Sequence, residues 1–352
     1  MLDRSCKELE ISQHTLKRVD YIDRMKGFAI FLVVMGHVYF ISLSNSSAAV
    51  SHVIYSFHMS LFMFLSGLVA YSGITPPYWN RVKFLHKLAK LIMPMLCFGL
   101  AFTLCHSMSL IGFLFAPAKN GYWYLMSLSV FYVSLLVFRF NRKGAWKVDV
   151  LLSMLVWATF FVLWKFTAQK KDLFCLLDCA NHYPFFILGV MASKYRLLEQ
   201  LRHNNWLLSI GIIGYSILML IDFPFHVAVS LSKHIFTPLC MVVVVCSLFI
   251  SRHGKTSRIE IVSEYIGRHT LDIYVIHYFL LSSVHFSELS YRLTSTNNDL
   301  LSALIAISIT LVIMAISIGI GNILHQSRWI TNIVYGEWIP RRISNNNKEL
   351  SR

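Results

Sequence analysis

Long apolar runs recur from one end of this sequence to the other. Each run approaches the roughly 20 residues that an α-helix needs to cross a bilayer. Hydrophobic residues make up 56% of the chain and charged residues only 14%, whereas an ordinary soluble domain has about 25% charged residues. Because the bilayer core offers no water to the backbone, runs of this length must fold as helices. The sequence therefore predicts an all-α, polytopic membrane helical bundle.

The apolar runs predict about ten transmembrane helices. Their approximate bounds are 25–44, 53–74, 88–107, 122–138, 150–164, 183–193, 206–221, 235–250, 270–286 and 300–324. With these spans, 26 of the 32 Lys and Arg residues fall on one side of the membrane. Cytoplasmic segments carry such an excess of basic residues. Both termini lie on this basic side, so we expect both to be cytoplasmic.

The predicted spans form one membrane domain over residues 25–325. A cytoplasmic N-terminal segment, 1–24, precedes it and a cytoplasmic tail, 326–352, follows it. The N-terminal segment carries acids as well as bases and lacks the order of a cleavable signal peptide. The net charge of +15 follows the positive-inside pattern, so we expect the lipid bilayer as a partner and no nucleic acid.

The first predicted span contains a histidine at about the middle of the bilayer. His37 lies roughly ten residues into the span, or about 15 Å deep at 1.5 Å per residue. Lys26 stands eleven residues earlier, and eleven steps of about 100° return to within about 20° of the same face. A cation at the cytoplasmic end of this stripe can hold phosphate, and a neutral imidazole deeper in can accept a proton or an acyl group.

Both residues also have simpler interpretations. His37 could hydrogen-bond a neighbouring helix, and Lys26 could extend its ammonium to the lipid headgroups. The mixed charges before the span, which include Asp23, are typical of a solvated flank. A specific role for Asp23 remains open beside that interpretation.

Other polar groups in the predicted spans are candidates for a supporting role or an acceptor site, because polar groups in a bilayer are costly. A buried hydrogen-bond network explains His58 and His277 as well as chemistry does, and the aromatic belt explains Trp123. Small residues such as Ser66 permit close helix packing. The supporting candidates are Asp23, His58, Ser66, Trp123 and His277.

A second basic cluster precedes the third predicted span. Lys87 and Lys90 are three residues apart, so they share a helix face, and Pro94 leaves a helical carbonyl without its usual partner. A bent, basic helix end could hold phosphate groups, although on spacing alone positive-inside anchoring is the better explanation of the lysines. Cys175, Cys179 and His182 share one predicted outer loop, where a disulfide or a metal site stays conceivable; we expect no metal.

Several segments in order resemble the acyltransferase-3 family of membrane acyltransferases. The segments are Arg18 to Asp23, Lys26 to Ile30, Val33 to His37, Phe57 to Gly67, Lys87 to Lys90, Trp123 to Leu125, Tyr183 to Phe186 and His269 to His277. The resemblance covers about residues 18–325. It implies about ten helices, a cytoplasmic acyl-CoA donor and acylation of carbohydrate or other cell-surface acceptors.

By this resemblance His37 is the expected catalytic histidine and Lys26 belongs to the donor site. Lys87 and Lys90 stand where many family members carry an Arg-x-x-Arg pair. Lysine supplies a point charge there, while arginine supplies a fork that grips phosphate oxygens in pairs.

We therefore expect an O-acetyltransferase-like enzyme of a bacterial cytoplasmic (inner) membrane. Acetyl-CoA or another acyl-CoA is the expected donor, and a hydroxyl of a cell-surface glycan or its lipid-linked precursor is the expected acceptor. Lys26, Lys87 and Lys90 would bind the donor. The alternative is a polytopic transporter or flippase for a glycan or a small metabolite, because buried histidines and acids also form proton relays. Inverted repeats would favour a transporter, and none is visible in the sequence.

Overall fold

The computed structural model describes residues 20–44, 47–71, 81–116, 118–141, 145–167, 172–201, 205–220, 227–252, 257–284, 286–296 and 298–337. All regular secondary structure in these ranges is helical. The α-helices are α1 Asp20–His37, α2 Ala48–Tyr55, α3 His58–Ala70, α4 Arg81–Cys105, α5 Leu110–Phe115, α6 Trp123–Ser134, α7 Trp146–Thr167, α8 Leu176–Lys194, α9 Leu197–Leu201, α10 Asn205–Leu220, α11 Val227–Ser251, α12 Arg258–Arg268, α13 Thr270–Ser282, α14 Ser287–Thr296, α15 Asp299–Gln326 and α16 Arg328–Tyr335.

Six helical segments within the described residues are long and apolar enough to cross a membrane. They are Tyr21–Ser42, Ala49–Ala70, Arg81–Cys105, Trp146–Thr167, His234–Ser251 and Asp299–Gln326. Three shorter apolar helices cover Trp123–Phe138, Trp206–Leu220 and Thr270–Ser282. The remaining predicted span, 183–193, lies within α8. The predicted all-helical class is confirmed for the described residues, while the number of crossings and the side of the termini stay predictions.

The helices form two compact units. The first unit contains Met1–Pro76 and His182–Ile318, and the second contains Pro77–Asn181 and Gly319–Arg352. The first therefore holds α1 to α3 and the helices from α9 to α14, and the second holds α4 to α7 and α16.

In the first unit, α1 and α12 pack backbone against backbone. A Cβ atom at Gly27 would overlap the Ser263 carbonyl oxygen, and one at Gly267 would overlap the Asp23 carbonyl oxygen. The Ser263 hydroxyl donates a hydrogen bond to the Arg24 carbonyl at 2.9 Å. Helices in membranes commonly associate through small residues that let their backbones approach closely. These two glycines therefore set the position of α1 against α12.

A second pair of glycines brings α3 against α8. A Cβ at Gly67 would overlap the Phe186 carbonyl oxygen, and one at Gly189 would overlap the Phe64 carbonyl oxygen. The close packing that the sequence indicated for the Ser66–Gly67 segment is therefore present at Gly67.

In the second unit, Lys119 is buried and its ammonium is held by backbone carbonyls. It donates to the carbonyl oxygens of Leu114, Ala116 and Asp172 at 2.6, 3.0 and 2.7 Å. Burial lowers the pKa of Lys119 and raises the pKa of nearby Asp178 to about 7. Three acceptors satisfy the three donors of an ammonium, so this lysine stabilises the connection into α8.

The start of α8 is capped by a side chain. The Asp172 carboxylate accepts the backbone N–H of Leu176 at 2.8 Å and that of Leu177 at 3.4 Å. An acidic cap satisfies backbone donors that have no partner within the helix. Helix α8 therefore begins well before the apolar run 183–193 that predicted it.

Replacing Gly267 by alanine is expected to lower the melting temperature of the purified protein, because the new Cβ would overlap the Asp23 backbone and force α1 and α12 apart. Overpacking of this kind usually destabilises by about 1–3 kcal/mol. The matched control is Gly319→Ala, since a Cβ there would meet nothing within 4 Å. Thermal unfolding in detergent measures both variants, and equal melting temperatures would contradict the packing described here.

Candidate functional site

His37 is the last residue of α1 and precedes a π-helical turn over Val38–Ser42. In this turn the Leu43 backbone N–H donates to the Val38 carbonyl at 3.0 Å. Single π-helical turns inside α-helices are frequent at functional sites. The His37 Nδ1 atom is buried and has no hydrogen-bond partner among the described residues. Because a buried polar nitrogen is normally satisfied, this atom is a candidate for contact with a reacting molecule.

Helix α13 brings a second imidazole to His37. The ring centroids of His37 and His277 are 5.3 Å apart. The His277 Nδ1 lies 2.9 Å from the Ile273 carbonyl, and since a carbonyl can only accept, Nδ1 carries the proton. The Nε2 atom of a neutral His277 is then an acceptor. This Nε2 is buried and has no hydrogen-bond partner within the described ranges.

Two tyrosines, Tyr55 and Tyr278, contact the region around His37. The Tyr278 ring meets the His37 ring edge to face at 5.5 Å. The Tyr55 hydroxyl donates to the Gly36 carbonyl at 3.0 Å, next to His37. Aromatic pairs prefer such edge-to-face contacts. Tyr278 therefore restricts the ring of His37, and Tyr55 restricts its backbone.

His58 joins this group through Tyr55. Its ring centroid lies 5.1 Å from that of Tyr55. The His58 Nδ1 donates to the Ile54 carbonyl at 2.8 Å, so the free acceptor of a neutral ring is again Nε2. We call the set His37, Tyr55, His58, His277 and Tyr278 the histidine cluster.

Lys26 and Asp23 lie three or four turns before the cluster on α1. The Lys26 ammonium is 3.5 Å from a carboxylate oxygen of Asp23, which is buried, while Lys26 is partly exposed. Helix α1 runs without interruption from Lys26 to His37. The eleven-residue step therefore corresponds to about 16 Å along the helix with both residues on nearly one face.

The remaining predicted site residues make other local contacts. The Ser66 hydroxyl donates to the Phe62 carbonyl of its own helix at 3.0 Å. In the second unit, the Lys87 ammonium lies 5.5 Å from the centre of the Tyr132 ring. Lys90 forms an ion pair with Glu337 at 2.7 Å, and Trp123 is the first residue of α6.

Among the described residues, no group of three or more His, Cys, Asp or Glu side chains could hold a metal ion. In the part of the chain that the structure describes, Cys175 and Cys179, for which a disulfide was conceivable, form no disulfide. Burial raises the pKa of Cys175 to about 12, as expected for a thiol that serves as a small apolar side chain.

Two residues of the histidine cluster were not predicted from the sequence. Tyr278 directly follows His277, and its phenol within an apolar span was a usable signal. Tyr55 stands three residues before His58. Its contact with Gly36 depends on how α2 packs against α1, which no local pattern reveals.

Comparison with known proteins found one family. The family model described as "Acyltransferase domain" matches residues 19–321, nearly the whole chain. No curated protein and no solved structure matches.

Replacing Tyr55 by phenylalanine is expected to speed amide hydrogen exchange in residues 36–43. It removes the hydrogen bond to the Gly36 carbonyl, and such a bond contributes about 0.5–1.5 kcal/mol. Exchange should therefore rise by up to about tenfold in peptides that cover the π-helical turn, measured by mass spectrometry. The control is Tyr291→Phe, at an exposed tyrosine of α14. Unchanged exchange in the Tyr55 variant would show that this hydrogen bond does not hold the turn.

Proposed function

This chain belongs to the acyltransferase domain family, and from that membership we propose that it moves an acyl group from an acyl-CoA to a hydroxyl of a cell-surface glycan or its lipid-linked precursor. Acetyl-CoA at the cytoplasmic face is the proposed donor, and a bacterial cytoplasmic membrane is the proposed location. The observation that carries this proposal is that the Nδ1 of His37, beside His277, is buried and has no hydrogen-bond partner among the residues that the structure describes.

The proposed reaction needs one basic nitrogen. As a general base, His37 takes the proton of the acceptor hydroxyl while the oxygen attacks the thioester carbonyl. The carbon–sulfur bond then breaks, and the sulfur leaves and takes up the proton from the imidazolium. In the alternative route a nitrogen of His37 attacks the thioester carbonyl, the carbon–sulfur bond breaks and the CoA thiolate leaves. The acceptor oxygen then takes the acyl group from the ring, and the hydroxyl proton passes to the thiolate. Both routes balance without a metal or a redox group.

His277 has the role of a positioning residue in this proposal. Its Nδ1 is committed to the Ile273 carbonyl, so its Nε2 can only accept while the ring is neutral. As an acceptor next to His37, the Nε2 of His277 would orient a protonated nitrogen of the His37 ring. It would also stabilise the His37 imidazolium that forms during transfer. Tyr278 limits the rotation of the His37 ring by its edge-to-face contact.

Lys26 has the role of a phosphate ligand for the donor. Its separation of about 16 Å from His37 along one helix suits a long donor that is anchored at its phosphates and reacts at its far end. Asp23 keeps the ammonium on this face by their ion pair at 3.5 Å. Because both groups are partly shielded from water, a phosphate would gain more from this charge than it would at an open surface.

Lys87 and Lys90 are proposed as further donor-binding residues on the strength of their sequence positions. The Lys90 ammonium is paired with Glu337 at 2.7 Å, so a phosphate must compete with that carboxylate. The Lys87 ammonium lies over the Tyr132 ring. This ring carries no formal charge, so it does not neutralise the lysine. Lys87 should therefore contribute more to donor binding than Lys90.

Replacing His37 by alanine is expected to reduce acyl transfer by at least about a hundredfold, since a positioned acid–base group contributes roughly 10²- to 10⁴-fold. The assay follows radiolabelled acetyl groups from acetyl-CoA into the glycan fraction of membranes that contain the full chain. His52→Ala is the matched control, because His52 is an exposed histidine of α2. Full transfer by a normally expressed His37 variant would end the assignment of the catalytic role.

Replacing Lys26 or Lys87 by alanine is expected to raise the KM for acetyl-CoA by about tenfold, with a smaller change in kcat. One charge-assisted hydrogen bond contributes about 1.5–3 kcal/mol. Lys90→Ala should raise KM less, and Lys83→Ala, at an exposed position of α4, serves as the control. A KM that does not change in either the Lys26 or the Lys87 variant would remove that residue from the donor site.

A further inference from the structure

The first unit contains a cavity of about 740 Å³ between α1, α11, α12 and α15. Apolar atoms form almost all of its surface. Four charged side chains contribute to its lining, namely Arg24, Arg252, Arg258 and Glu260, and both Arg24 and Arg252 act electrostatically on Glu260. We call this part of the lining the basic end. Arg24 lies in the first turns of α1 and Arg252 directly follows α11. Because both mark the ends of membrane helices, the basic end belongs at the membrane–water interface.

The cavity lies on the opposite face of α1 from the predicted donor stripe. Arg24, Phe28 and Phe31 line it, and their spacing of four and three places them on one face of the helix. Lys26 follows Arg24 by two residues, which is a rotation of about 200° at 100° per residue. The cavity is therefore separate from the stripe that carries Lys26 and His37.

The charge at the basic end is positive. The Glu260 carboxylate lies 3.8 Å from Arg24 and accepts the Ser257 backbone N–H at 2.8 Å. The Ser257 N–H, with a smaller contribution from Arg24, holds the pKa of Glu260 below its usual range. Three guanidinium groups and one carboxylate leave a formal charge of +2, which favours an anion. Basic pockets between membrane helices at the interface commonly bind anionic lipid headgroups.

Part of the apolar wall is exposed, so an apolar group would bind there favourably. Ile259 is 81% exposed and Val262 is 56% exposed, although both are branched apolar side chains. They line the same cavity as Phe28, Phe31 and Phe249. The cavity thus combines cationic side chains near the interface with an apolar space between helices. A phospholipid has the matching chemistry, because its headgroup can lie at the arginines and an acyl chain can lie along the aromatic rings.

We propose that this cavity binds one anionic phospholipid of the surrounding membrane, with its phosphate at Arg252 and Arg258 and one acyl chain against Phe28 and Val262. The lipid stabilises the pairing of α1 with α12 from the side opposite the histidine cluster. The site is independent of the donor and acceptor proposed above.

The test measures lipid retention by the purified full-length chain in a neutral detergent. Dioleoylphosphatidylglycerol is titrated and bound lipid is counted by native mass spectrometry, with dioleoylphosphatidylcholine as the zwitterionic comparison. We expect one retained phosphatidylglycerol and at least about fivefold weaker retention of phosphatidylcholine. Near a membrane surface each arginine contributes about 1 kcal/mol to binding of an anionic lipid, so Arg252→Gln and Arg258→Gln should each weaken retention about fivefold.

Two matched controls separate the cavity from its surroundings. Arg268→Gln removes a charge from the same helix at a residue that pairs with Glu264 outside the cavity, and it should leave retention unchanged. Val262→Trp fills the apolar wall and should abolish retention. Ile261→Trp adds the same bulk at an exposed neighbour outside the cavity and should not.

Three results would overturn the proposal. One is equal retention of the two lipids. Another is equal loss in the Arg268 and Arg258 variants, or in the two tryptophan variants. The third is displacement of the bound lipid by acetyl-CoA or by glycerol 3-phosphate, which would make the cavity a site for a soluble phosphate compound. Loss of acyl transfer in the His37→Ala variant, with lipid retention intact, would support the catalytic role of His37 and leave the lipid proposal unaffected.

Discussion

The backbone contact between α1 and α12 is the interaction on which the rest of the first unit depends. Gly27 and Gly267 allow it, since a Cβ at either position would overlap a carbonyl of the partner helix. With α1 held in this way, its two faces acquire different neighbours. One face carries Lys26 and His37, and the other lines the basic cavity through Arg24 and Phe28. The close backbone contact at these two glycines thus determines which groups lie beside each face of α1.

The histidine cluster shows how a low-dielectric interior makes polar atoms available for chemistry. The unused nitrogens of His37 and His277 are buried, where an unmade hydrogen bond costs about 1–3 kcal/mol. Such atoms persist only when the surrounding structure holds them in place. Tyr55 supplies part of that support by its bond to the Gly36 carbonyl, at the point where α1 changes to a π-helical turn. Tyr55 and the buried histidine nitrogens therefore belong to one packed assembly.

The sequence predicted the helical class and most helix positions because apolar length and basic asymmetry are properties of single segments. The spacing from Lys26 to His37 was predictable for the same reason, since one uninterrupted helix carries both. Contacts between segments were not predictable. His277 is remote in sequence and reaches His37 only through the packing of α13, and a hydropathy pattern contains no such information.

Two further features escaped prediction for physical reasons. Helix α8 begins at Leu176 under the carboxylate cap of Asp172, so its polar first turns do not appear in an apolar count. Helix α12 was not expected as a separate element, because it is amphipathic and too short to cross a bilayer. It contributes Ile259 and Val262 to the cavity wall. Because α12 itself was not predicted, the cavity was not predicted either.

We propose that the acyl donor lies along the Lys26 face of α1 with its reactive end at His37. The most direct measurement is a structure of the full chain with a non-hydrolysable acetyl-CoA analogue, determined in lipid nanodiscs. We expect donor phosphates at the Lys26 ammonium and the thioester carbonyl analogue within hydrogen-bond reach of the His37 ring. Donor phosphates at Arg252 and Arg258, or an acyl end remote from the histidine cluster, would contradict it.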